Sequence, residues 1–186
     1  MAVNIFQPFT NPISKEVFQF EKADAESCVM RWTVDPAGYV PLEHIHLKQD
    51  ETFEVKSGEI RLLMNGKETI ARAGETIAVP AGVAHIAFNN TDAPLVCRVT
   101  YTPGLDFSKF MQCMGGLIID GDINPKTGEP SIPKLGFFLK YMDAQCMTRP
   151  TQFPAPAFNL VLNVFYLIGL LKGWKKDFER YTGAPA

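Results

Sequence analysis

Two histidines stand one residue apart in the stretch GYVPLEHIHLKQDETFEVKSG, residues 38–58, with Glu51 five positions beyond His46 and a glycine at each end. Residues i and i+2 of a strand point to the same side, so His44 and His46 project together. After the turn LKQD, Glu51 shares a face with Phe53 and Val55, while Thr52, Glu54 and Lys56 take the other. The first set has the composition of an inward face. A carboxylate there is costly to desolvate without a partner, and a metal ion satisfies two imidazoles and a carboxylate at once. Glu54 is the rival carboxylate, and its parity sets it on the opposite face from Glu51. Gly38 lets the chain turn sharply into this segment, and Pro41 suits its unpaired start.

A second stretch, GETIAVPAGVAHIAFN at 74–89, has Gly74 at its start, a turn at Pro80-Ala81-Gly82, then His85 and Asn89. It is not a phosphate loop, because no lysine follows it and its glycines flank a strand instead of opening a helix. Together the two stretches resemble the paired signatures of the cupin superfamily. The first has the form G-x5-H-x-H-x4-E-x6-G, filled by Gly38, His44, His46, Glu51 and Gly58. The second has the form G-x5-P-x-G-x2-H-x3-N, filled by Gly74, Pro80, Gly82, His85 and Asn89. Fifteen residues separate Gly58 from Gly74, as in compact cupins.

The resemblance implies a mainly β fold: a small jelly-roll β-barrel, RmlC-like, holding one divalent metal ion through His44, His46, Glu51 and His85 near one mouth. Such a ligand set tolerates Fe, Mn, Ni, Cu, Co or Zn. It leaves one or two coordination positions open to water, dioxygen or a substrate oxygen. Cupins include dioxygenases, isomerases, lyases, decarboxylases, storage proteins and ligand-binding modules, so the reaction has to be argued from the site. Two readings stand. One is a metal-dependent, dioxygenase-like enzyme acting on a small organic substrate and resembling quercetinase-type cupins, with Glu51 a ligand that also takes a proton. The other is a non-catalytic small-molecule-binding module. Among the neighbours, Asn89 reads as a turn stabiliser and Gln49 as a solvated loop residue. Arg31, Arg98 and Tyr101 are candidates to line a cavity.

These residues need strands to position them. Segments 16–21, 27–34, 51–58, 59–71, 75–80, 84–90 and 94–101 are short and rich in Val, Ile, Thr and Phe, with DPAG, SG, NG, AG and PAG turns between them. Asn65-Gly66 supplies the positive φ angles of a type I′ hairpin turn. Even spacing of many short strands points to an antiparallel sandwich or barrel.

The pattern turns helical near residue 105, at 106–121, 134–147 and 158–181. We therefore divide the chain into a barrel, 1–105, and a helical extension, 106–186, packed on the barrel or across a dimer. Within 157–171 an apolar run is interrupted by Asn159, Asn163, Tyr166 and Gly169. It is shorter than the roughly 20 residues that span a bilayer, although Lys172, Trp174, Lys175 and Lys176 would suit a membrane interface. The whole chain also resembles a group of bacterial cupin proteins with a tail turn of the form DG…N…G…P, here Asp120, Gly121, Asn124, Gly128 and Pro130.

With 186 residues, 46% of them hydrophobic, the chain is long enough for one well-buried core. A net charge of −2 offers no footprint for nucleic acid. Cys28, Cys97, Cys113 and Cys146 form no CxxC pair and read as packed thiols of a cytoplasmic protein. No basic, apolar leader opens the chain. The expected partner is a small molecule in the barrel, with a second copy of the chain forming a homodimer.

Overall fold

Alternation sets the strands. In Glu16–Ala23 the residues Glu16, Phe18 and Phe20 are buried, and in Leu95–Thr102 the buried set is Leu95, Cys97, Val99 and Tyr101. Such period-two patterning turns one side of each strand towards a common core. The computed structural model describes residues 2–184. In chain order the β elements are β1 (Phe9–Asn11), β2 (Glu16–Ala23), β3 (Cys28–Val34), β4 (His44–His46), β5 (Asp50–Ser57), β6 (Glu59–Met64), β7 (Lys67–Arg72), β8 (Thr76–Val79), β9 (His85–Phe88) and β10 (Leu95–Thr102). They are followed by α1 (Phe107–Ile119), α2 (Ile132–Tyr141), β11 (Thr148–Pro150), α3 (Ala155–Lys172) and α4 (Lys175–Thr182).

The strands form two antiparallel sheets, ordered β1-β2-β3-β10-β5-β8 and β11-β4-β9-β6-β7, packed over one apolar core in a jelly-roll arrangement. β6 and β7 pair from Glu59–Arg72 down to Met64–Lys67, and the turn between them has Asn65 at φ 48° and Gly66 at φ 76°. That is the hairpin geometry expected of Asn-Gly.

The tail contributes to the same core through Phe107, Phe110, Met111, Leu139 and Cys146. It also departs from the sequence reading in three places. The helix expected at 134–147 ends at Tyr141; Asp143 has φ 47°, and the Asp106 carboxylate then accepts hydrogen bonds from the backbone N–H of Gln145 and Cys146. Residues 148–150 form β11, antiparallel to β4. The helix expected at 158–181 is two helices, because Gly173 at φ 72° ends α3 and donates its N–H to Leu170, while Trp174 donates to Gly169. A left-handed glycine just past the last turn is a common helix stop.

Close helix crossings depend on two glycines. A Cβ on Gly116 of α1 would lie 2.2 Å from the Tyr181 ring of α4, and one on Gly169 of α3 would lie 2.1 Å from the Phe137 ring of α2. α3 buries Phe158 and Leu162 but leaves Leu160, Val164, Leu167 and Leu171 exposed, Leu167 at 61% and Leu171 at 90%. By length and composition α3 could cross a membrane.

Candidate metal centre

Three strands deliver four donor side chains to one place. β4 carries His44 and His46 on a pair of positions flanking Ile45, and β9 starts with His85, which lies directly across the ladder from His44. β5, from the facing sheet, contributes Glu51. One donor atom from each of these four residues can be chosen so that all lie within 4.8 Å of one another. His44 Nε2 is 3.2 Å from His46 Nε2, and Glu51 Oε2 is 3.5 Å from His46 Nε2 and 2.8 Å from His85 Nε2. Glu51 is only 3% exposed, and His46 and His85 are similarly buried.

The outer nitrogens show what the inner ones present. His44 Nδ1–H donates to the Leu42 carbonyl at 2.9 Å and His85 Nδ1–H to the Val83 carbonyl at 3.0 Å. A carbonyl can only accept, so in their neutral forms both rings turn a bare Nε2 lone pair inward. Thr148 Oγ1 lies 3.2 Å from His46 Nδ1 and 3.4 Å from the Cys146 carbonyl oxygen, to which its hydroxyl can donate while accepting from His46 Nδ1–H. His85 Nε2 and Glu51 Oε2 are buried without a satisfying hydrogen bond. Imidazole lone pairs and a carboxylate converging on one buried point are a donor set that a divalent metal would fit.

Members of the cluster also shift one another's protonation. Burial, with the neighbouring His85 and His46 adding to it, pushes His44 down to about 3, which leaves it neutral. Burial opposes ionisation of Glu51, but the adjoining His46 and His85 outweigh it and hold the carboxyl well below its ordinary range. Burial would lower His85, yet the adjacent Glu51 raises it. Tyr101 sits opposite Glu51 in the β10–β5 ladder, and burial and the Glu51 charge hold its phenol well above the usual value. It therefore stays an O–H donor beside the cluster.

The cluster opens into a cavity of about 170 Å³ bounded by both sheets and by α1, α2 and α3. Its walls are largely apolar, among them Phe18, Phe53, Phe107, Met111, Leu139 and Phe158. Tyr101 packs between His46, at a ring separation of 5.3 Å, and Phe107, at 4.0 Å.

The other candidates sort by face. Glu54 points outward and pairs with Lys56. Arg31 is exposed, and Arg98 binds Glu21 on the outer face at 3.0 Å, so of the three residues expected to line a cavity only Tyr101 does. Asn89 ties the turn after β9, donating to the Val34 and Ala93 carbonyls and accepting from Thr91. Gln49, expected in solvent, is 1% exposed, because the loop after β10 folds over it and its Nε2 donates to the Pro103 and Gly104 carbonyls. Among the cavity residues that were not anticipated are the polar Asn11, Glu16, Glu129 and Thr148. Glu16 shares the inward parity of Phe18 and Phe20, a signal visible in EVFQFE. Thr148 carries none.

A two-sheet jelly roll with three imidazoles and a carboxylate gathered inside it defines a small β-domain built around a buried donor cluster. Residues 30–101 match the Cupin domain family, so this part of the chain is a cupin domain. It is similar to a probable oxidoreductase, virH, of Hypocrea virens, being 29% identical over 189 aligned residues that cover 91% of this chain and 83% of that protein. Among solved structures it is similar to an uncharacterised conserved protein with a double-stranded β-helix domain from Klebsiella pneumoniae, at 25% identity, TM-score 0.46, and coverage of 50% of this chain and 80% of that one. It is also similar to a sugar phosphate isomerase of the cupin superfamily from Silicibacter pomeroyi, at 26% identity, TM-score 0.45, and coverage of 48% and 60% respectively.

Proposed function

We propose that the protein is a metal-dependent oxidoreductase of the dioxygenase type, acting on a small, largely apolar organic substrate. The observation that carries this reading is the convergence of His44, His46, Glu51 and His85 at the wall of an apolar cavity. These four residues would hold one divalent cation, which when bound supplies an electrophilic centre with positions left for oxygen ligands. The chain's own residues do the rest. Leu42, Val83 and Thr148 lock the three rings, so the lone pairs are aimed before any ligand arrives. Glu51 stays ionised and can take a proton at Oε2 from a substrate hydroxyl, while the Tyr101 O–H is placed to donate to a substrate oxygen. The apolar walls exclude water and strengthen both interactions. The relative described as a probable oxidoreductase supports this choice of reaction class.

The test is elemental analysis of the purified protein, followed by oxygen uptake against flavonoids, diketones and organic acids. Stoichiometric metal with turnover of one class is the expected result. Bound metal with no oxygen uptake by any class would favour the ligand-binding module.

We further propose that the exposed Leu160, Val164, Leu167 and Leu171 stripe of α3 seats against a second copy of the chain. Four buried thiols without disulfides support a reducing, cytoplasmic setting.

A further inference from the structure

Glu16 lines the same cavity as the donor cluster but belongs to neither the cluster nor the tail. It is 2% exposed. Its partners are neutral: Ser14 Oγ–H donates to Oε2 at 2.6 Å and Trp32 Nε1–H to Oε1 at 3.1 Å. No lysine or arginine lines the cavity among the described residues. A carboxyl so deeply placed without a cationic partner is costly to keep ionised.

Strand register fixes where Glu16 stands. It lies beside Val34, the last residue of β3, whereas Glu51 lies beside Tyr101, which faces Cys28, the first residue of β3. Those rows are separated by about 20 Å of extended strand. α1 gives a similar length independently. Its cavity-lining residues run from Phe107, stacked on Tyr101, to Ile118, roughly 16 Å further along the helix. The cavity is a slot with the donor cluster towards one end and Glu16 towards the other.

We propose that Glu16 is a specificity-determining residue that receives the protonated amine at the tip of an elongated, otherwise apolar ligand lying along this slot. The inference rests on the cavity being the substrate site argued above. An ammonium is the counter-charge that the protein itself does not provide, and hydrogen bonds to a charged partner are the strong ones. Burial, against the lowering by Ser14 and Trp32, raises Glu16 to about 8. The free protein thus holds Glu16 largely protonated, and on arrival of the ammonium the carboxyl proton passes to bulk water.

A merely structural Glu16 would serve only Trp32 and Ser14; glutamine can accept the Trp32 N–H at its oxygen and donate to the Ser14 hydroxyl from its nitrogen. Glu16→Gln therefore separates the two roles. Calorimetric titration of the full-chain protein at pH 7 with 4-phenylbutylamine, 4-phenylbutan-1-ol and pentylbenzene, three probes of matched length, makes the test. The wild-type protein is expected to bind the amine tighter than the hydrocarbon by about tenfold or more. Glu16→Gln is expected to abolish that margin while pentylbenzene affinity holds, with unchanged near-UV circular dichroism reporting an intact fold. An amine bound no tighter than the alcohol or hydrocarbon overturns the proposal, as does a Glu16→Gln protein that keeps the amine margin. Failure of all three probes to bind the wild-type protein would instead remove the cavity as a ligand site.

Discussion

Thr148 Oγ1 lies 3.2 Å from His46 Nδ1, although 102 positions separate the two in the chain. The contact exists because β11 joins the edge of the smaller sheet alongside β4 and sets Thr148 directly opposite His46. A segment from the tail thus fixes the ring orientation of a residue in the barrel. Thr148→Val removes the hydroxyl while keeping a similar shape, and metal affinity is expected to fall by about 10–100-fold. Competition titration against a chelator of known affinity measures this; an unchanged dissociation constant would mean that Thr148 does not orient His46.

The proposed metal centre needs all four donors. His44→Ala and Glu51→Gln are each expected to lose stoichiometric metal, with the fold retained by the two-sheet core. Elemental analysis after desalting, beside circular dichroism, is the check. Full metal content in His44→Ala would exclude the proposed centre.

Glu16 sets a pH dependence of stability. Its folded-state value of about 8 lies above the ordinary 4.5, so the folded protein binds this proton more tightly than the unfolded chain. Stability from this group is therefore fully present below about pH 4.5 and is lost as pH rises to about 8. The loss is roughly 3 to 5 kcal/mol across that window. Urea denaturation at pH 5 and pH 8 should show a decline in the wild-type protein that Glu16→Gln largely removes. Parallel slopes in the two proteins would refute it.

How much of this was legible beforehand depends on how local each cause is. His44 and His46 share a face by parity alone, and Asn65-Gly66 declares its turn by backbone preference; both stood in the sequence and appear in the structure. β11 did not, because Thr148-Arg149-Pro150 is too short to show alternation and is a strand only by virtue of pairing with β4. The burial of Gln49 depends on a loop more than fifty residues away closing over it, which no local pattern records. Glu16 carried a visible signal in its shared parity with Phe18 and Phe20. Its importance emerged only once the cavity was seen to reach it.

The crossing of α2 and α3 leaves no room for a side chain at Gly169. Gly169→Ala places a methyl group 2.1 Å from the Phe137 ring, and such overpacking is expected to cost about 1–3 kcal/mol. A thermal melt several degrees below wild type would register it. An unchanged melting temperature would show that the two helices separate freely.

Deleting everything after Pro150 keeps β11 but strips α3 and α4 from Phe137, Phe138 and the cavity wall. The shortened protein is expected to aggregate, because a large apolar surface loses its cover. Light scattering distinguishes this from a soluble monomer of unchanged stability, which would contradict the packing. In the full chain, Leu167→Glu is expected to convert a dimer to a monomer by the same measurement.

Phe107, Leu139 and Phe158, all beyond residue 105, form part of the wall that a bound molecule would touch, whereas the four candidate ligands lie in strands before it. Part of the cavity wall is thereby written outside the stretch that carries the four donors. Mutations in the later stretch can therefore reshape what the cavity admits while the four donors stay untouched.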